Sequence, residues 1–136
     1  MTSRPTAITY GHAEGTAIVL AEPISFWGGI ESSTGTIIDA NHPDHGRNVA
    51  GRILVMSCGR GSSSSSSVLA ETIRNGSGPV GIILKHNDPI LIVGALVAHT
   101  IYAKACPIVI YPDNDIVDGS EIEILANEST CEVRIR

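Results

Sequence analysis

Six consecutive serines, Ser62 to Ser67, follow a Gly-x-Gly turn at Gly59-Arg60-Gly61. A serine hydroxyl acts as a base or nucleophile only where its surroundings stabilise the alkoxide. A helix N-terminus does this, because its unpaired N–H groups and the helix dipole together favour an anion. Serine is also a favoured helix cap. Ser62 or Ser63 at such a junction is therefore placed to move a proton. Serine runs commonly serve as flexible linkers instead. The flanks argue against that here: the apolar run Ile53 to Met56 precedes the turn, and Val68, Leu69, Thr72 and Ile73 recur afterwards at helical spacing. Serine is a mediocre helix former, and a local rule broken at a glycine-rich turn is expected where function resides.

Other residues that can bind or react are more scattered. Cys58, Cys106 and Cys131 are far apart and form no CxxC, so neither a disulfide framework nor a zinc or iron–sulfur site in this chain is expected. Free cysteines are usually buried, though Cys58 adjoins the glycine turn. His12 and Glu14 fall in Gly11–Gly15, which reads as a solvated turn between strands. His42, Asp44 and His45 fall in Asn41–Gly46, which reads as an exposed turn with too few ligands for a metal. Trp27, in the loop Pro23–Ile30, reads as a pocket wall or a core anchor.

These residues must be carried by the elements around them. Thr6–Tyr10 and Thr16–Ala21 read as short strands, and Thr34–Asp39 as one arm of a hairpin. The strand 53–56, the serine helix ending at Gly76, and a strand over Val80–Leu84 make a right-handed βαβ unit. Asp88-Pro89 starts a second helix, with aspartate as cap and proline at the first helical position. Ile90–Tyr102 is apolar almost all round, so this helix is expected to be covered on most sides. Pro107–Tyr111 reads as a third parallel strand, and Glu121–Leu125 with Glu132–Ile135 as a closing hairpin. The expectation is one α/β domain over residues 1–136: a compact β/β/α arrangement with a mixed sheet or partial barrel around the central βαβ unit.

The whole chain narrows the function. Its 136 residues can bury a real core, and apolar residues make up 43% against 17% charged. A net charge of −5 with no basic stripe opposes nucleic acid as a partner. The longest apolar run, Pro89–Ala98, is too short to span a bilayer, so no membrane role is expected. The N-terminus MTSRPTAITY lacks the apolar stretch of a secretory leader, which points to the cytoplasm. No Gly-x-Ser-x-Gly elbow is present and no particular histidine pairs with Ser62, which opposes a serine hydrolase.

The segments AEPISFWGG, HPDHG, NVAGRILVMSCGRGSSSSSSVLAETIR, GIILKHNDPI and GALVA together resemble the small subunit of aconitase X, the swivelling domain of the aconitase superfamily. The resemblance covers nearly the whole chain. In that superfamily a strand leads into a Gly-x-Gly-Ser-Ser-Arg turn that opens a helix, and its first serine is the catalytic base. Matching that turn to Gly59-Arg60-Gly61-Ser62-Ser63 implies Ser62 as base, with Gly59, Arg60, Gly61, Ser63 and Ser64 as the substrate-binding set. The superfamily's substrate-binding arginine is replaced here by Ser64, so carboxylate binding falls to other residues or to a partner.

The resemblance implies a heterodimeric hydro-lyase: a small hydroxy acid loses water in a site completed by a large subunit that carries the iron–sulfur cluster, with no cofactor in this chain. The family includes dehydratases of cis-3-hydroxy-L-proline and of mevalonate 5-phosphate. The Phe-Trp-Gly-Gly segment and long serine run look more like the hydroxyproline branch. A non-catalytic domain that binds an anion or partner through the serine turn is the alternative from another class.

Overall fold

The computed structural model describes residues 4–60 and 63–136. In chain order the elements are β1 (Thr6–Thr9), β2 (Gly11–Val19), the single turn α1 (Phe26–Gly29), β3 (Ile53–Met56), α2 (Ser64–Asn75), β4 (Gly81–Leu84), α3 (Pro89–Tyr102), β5 (Ile108–Ile110), β6 (Glu121–Ala126) and β7 (Cys131–Ile135). The seven strands form one mixed sheet in the order β1-β5-β4-β3-β2-β6-β7. Strands β2 to β5 are mutually parallel, while β1, β6 and β7 run antiparallel to their neighbours.

Parallel neighbours need a crossover, and α2 and α3 supply two of them. Ile53 pairs with Gly81 and Met56 with Leu84, and Ile82 pairs with Ile108. The central βαβ unit and the adjacency of the three apolar strands are as the sequence predicts. Every residue of β3 and β4 is buried, so these strands read as unbroken apolar runs with no alternation.

The sheet cannot be flat. Only Tyr10 separates β1 from β2, yet β1 lies beside β5 and β2 beside β3. The sheet coils until these strands stand end to end, which makes the expected partial barrel. Successive side chains of β3 therefore serve two cores. Leu54 and Met56 pack with Ile82 and Leu84 against Leu69 of α2 and Leu91 of α3. Ile53 and Val55 pack with Ile83 and Val109 against Ile122 and Ile124 of β6.

The helix ends follow the sequence closely. The Asp88 carboxylate accepts from the N–H groups of Ile90 (3.0 Å) and Leu91 (3.4 Å), which caps α3. Gly76, with φ of 82°, closes α2 in the left-handed conformation. The two helices pack closely at Gly94, where a Cβ would stand 2.7 Å from the Ser66 carbonyl oxygen.

Four expectations are corrected. Gly11–Gly15 is no turn but the first half of β2, paired along β6 from Gly11↔Ala126 to Thr16↔Glu121. Its inward positions are Ala13, Gly15 and Ala17, too small to register as an apolar strand pattern. Thr34–Asp39 is not a hairpin arm; it makes only isolated bridges, Ile30 with Ile37 and Thr36 with Asn48. His42 is not on an exposed turn but buried: its Nδ1 accepts from the Asp44 N–H (3.0 Å), so its Nε2–H donates to the Glu22 carbonyl (2.9 Å). Finally, α3 is not covered on most sides. Val93 and Leu96 are each 49% exposed and Ile101 is 65% exposed.

Candidate active site

Parallel strands deliver their carboxyl ends to one edge of a sheet, and the β3-to-α2 turn leaves from that edge. Three contacts hold the turn in place. The Ser57 carbonyl accepts from the backbone of Lys85 (3.0 Å) and His86 (2.9 Å), which ties the turn to the loop after β4. Gly59 lies so close to Asp88 that a Cβ would overlap the carboxylate, with Leu91 also in contact. The Arg60 N–H donates to the Ile24 carbonyl at 3.3 Å, and its side chain is exposed.

Of the predicted site residues, Gly59, Arg60, Ser63 and Ser64 are described, and Gly61 and Ser62 lie outside the described residues. Ser63 and Ser64 are exposed at the start of α2, with Ser63 at the cap position. The Ser63 hydroxyl makes no capping bond, so no side chain among the described residues occupies the helix N-terminus as a cap. The Ser66 N–H is taken by the Ser63 carbonyl (3.2 Å), and a helix N-terminus favours an anion through its remaining N–H groups and its dipole.

The hydroxyls of the later serines are taken up by bonds within the chain. The Ser66 hydroxyl donates to the Ser63 carbonyl (2.7 Å), and the Ser67 hydroxyl donates to that of Ser64 (2.9 Å). Ser65 is fully buried in a closed ring of bonds. The Trp27 N–H donates to Ser65 Oγ (3.3 Å), and Ser25 Oγ donates to the Trp27 carbonyl (2.9 Å). The Ser65 hydroxyl must then donate to Ser25 Oγ, 3.1 Å away. This ring clamps the Ile24–Trp27 segment to the first turn of α2 and leaves the Trp27 side chain exposed.

Two cavities flank the turn. One of about 200 Å³ is lined by Ser57, Lys85 and Asn114 together with the ends of β2 and β3. The other, about 180 Å³, lies between Ser63 and Ser66 of α2 and Pro89, Ile90 and Val93 of α3. Sequence reasoning did not place Asp88, Lys85 or Ser25 at the turn. Asp88 was visible only as a helix cap, and its second contact depends on how the crossovers pack.

The cysteines do not fit an iron–sulfur cluster. Cys106 is buried, its thiol donates to the Pro79 carbonyl (3.6 Å), and burial pushes its pKa up to about 12. Cys131 sits on β7, where partial burial also raises its thiol. Among the described residues, the only group of three potential metal ligands is His12, Glu14 and Glu123. That group is already neutralised. Glu123 takes His12 Nε2 at 2.8 Å, Arg136 at 3.1 Å and Arg134 at 3.5 Å. The hydrogen bond from His12 first, with Glu14 and the two guanidinium groups adding to it, holds the Glu123 carboxyl down to about 2. Among the described residues no histidine is bonded to a serine of the run, so no hydrolase-type pair forms.

A sequence profile of the aconitase X swivel domain matches residues 2–133. The chain is 35% identical over 125 residues to the phosphomevalonate dehydratase small subunit of Methanothermobacter thermautotrophicus, covering 89% of this chain and 91% of that one. It is 39% identical over 104 residues to the cis-3-hydroxy-L-proline dehydratase of Pseudomonas aeruginosa, covering 76% of this chain but 18% of that longer protein. The crystal structure of Thermococcus kodakaraensis aconitase X in its holo-form superposes with a TM-score of 0.83 at 29% identity, covering 98% of this chain and 99% of the other.

Proposed function

Because the chain belongs to the aconitase X swivel-domain family, we propose that it is the small subunit of a heteromeric hydro-lyase that removes water from a small hydroxy acid. The observation that carries this reading is the N-terminus of α2, where Ser63 makes no side-chain cap bond, at the carboxyl edge of the parallel strands and shortly after Gly59-Arg60 in the sequence. The reading is supported by named dehydratases that are 39% identical over 104 residues and 35% identical over 125 residues.

Ser62, the residue before the described Ser63, is the base in this reading. It takes a proton from a substrate carbon while the hydroxyl on the neighbouring carbon departs as water. A serine is far too weak a base unaided, so N–H groups of the turn and the α2 dipole stabilise its alkoxide. Gly59, Arg60, Gly61, Ser63 and Ser64 hold the substrate carboxylate. Lys85, at the same strand edge, adds a cation where Ser64 replaces the superfamily's arginine. The departing hydroxyl needs chemistry that the cysteines of this chain do not supply, so the iron–sulfur cluster belongs to the large subunit. Among the described residues no helix is long and apolar enough to cross a membrane. The proposed location is the cytoplasm.

The favoured substrate is cis-3-hydroxy-L-proline, supported by the 39% identity to an enzyme of that name. A second reading, phosphomevalonate, is supported by the match across 91% of a phosphomevalonate dehydratase small subunit. Assaying the complex with its large subunit against both compounds separates the two. The reading expects turnover of hydroxyproline. Turnover of phosphomevalonate alone moves the assignment to the second substrate, and turnover of neither contradicts a dehydratase role for these two compounds.

A further inference from the structure

The outer face of α3 has no counterpart in the rest of the described chain. Val93, Leu96, Val97, Thr100 and Ile101 lie at helical spacing along one side and line a cavity of about 250 Å³. Three of the five are about half exposed or more. No Asp, Glu, Lys or Arg occurs between Pro89 and Tyr102. A contiguous apolar patch of this kind on a protein in water marks a surface that a partner covers.

We infer that this face of α3 docks the large subunit that completes the active site; the inference rests on the hydro-lyase reading and names where its partner sits. Three observations choose that occupant. Val93 lines both the α3 cavity and the cavity that Ser63 and Ser66 share, so a chain closing over the serine turn meets the apolar face at once. In the Pseudomonas enzyme, the region like this chain is only 18% of the length, so the remainder is a polypeptide several times larger than this domain and able to cover the helix. The face holds no ionic side chain, so its complement on the partner is apolar and uncharged. A helix of this length offers a stripe roughly 20 Å long. That suits the apolar centre of an interface which, at about 800 Å² per partner, takes its rim from neighbouring loops.

The test is the affinity of the isolated chain for the large subunit of its own organism, measured by isothermal titration. Val93→Glu with Leu96→Glu replaces two outward apolar anchors by charges and is expected to weaken binding at least about a hundredfold. Ile135→Glu, an equally exposed apolar position on β7, is expected to bind within about threefold of wild type. Leu96→Gln alone, with an unchanged circular-dichroism melt, is expected to lose about tenfold and keeps the test decisive if the double variant fails to fold. Wild-type affinity in a folded double variant, or in folded Leu96→Gln, overturns the inference, as does failure of the wild-type chain to bind. So does self-association of the lone chain that the double variant abolishes while large-subunit binding persists, which would assign the face to a second copy. A complex that forms and responds to these variants yet dehydrates neither substrate leaves the docking surface standing and removes the hydro-lyase reading.

Discussion

At Ser65 the arrangement of three hydrogen bonds decides what the residue does. Its hydroxyl accepts from the Trp27 N–H and donates to Ser25, so Ser65→Ala strips the Trp27 N–H of its acceptor and leaves Ser25 only its bond to the Trp27 carbonyl. We expect a loss of about 1–3 kcal/mol in urea unfolding, with Ser66→Ala and Ser67→Ala costing less because those hydroxyls are partly in water. In the complex, Ser62→Ala is expected to lower the dehydration rate at least about a hundredfold with little change in KM. Loss of Ser63 or Ser64 should instead raise KM. A Ser62→Ala complex that turns over like wild type would show the base to be misassigned. Glu123 gives a pH-dependent prediction. Its folded pKa of about 2 lies below the ordinary 4.5, so its contribution to stability is present above pH 4.5 and is lost as pH falls towards 2. Unfolding midpoints of Glu123→Gln should therefore vary less with pH across that window than those of wild type.

Among the elements, the β3-to-α2 turn depends on how closely α3 approaches it. Gly59→Ala would push a methyl group into Asp88, which also caps α3, so the turn and the helix start must both shift. We expect impaired kcat/KM in the complex with only modest loss of stability, read by comparing kinetics with a thermal melt. This contact was not legible in the sequence, because residues 59 and 88 meet only once two crossovers have packed. The crossovers themselves were legible: apolar runs at 53–56 and 80–84, a glycine closing α2 and Asp88-Pro89 opening α3 are local signals. The first half of β2 was not, since its inward Ala13 and Gly15 carry no apolar pattern. His42 was misread because its burial comes from the Glu22 carbonyl, twenty residues earlier. The apolar sequence of α3 was misread as a helix covered on most sides, because apolar composition does not say which neighbour supplies the cover, and among the described residues Val93, Leu96 and Ile101 stay exposed.

For the whole molecule, the cysteine placement leads to a simple expectation. Metal analysis of the isolated chain should find no stoichiometric iron or zinc, and about one bound ion per chain would contradict it. In the proposed reading the site is a composite, with a serine turn from this chain and the remaining chemistry from a larger partner. Titrating this chain into its purified large subunit while following loss of water from cis-3-hydroxy-L-proline tests that claim most directly. The account predicts no turnover by either component alone and activity that rises to a plateau near one small subunit per large subunit. Full turnover by the large subunit alone, unchanged on adding this chain, would contradict it.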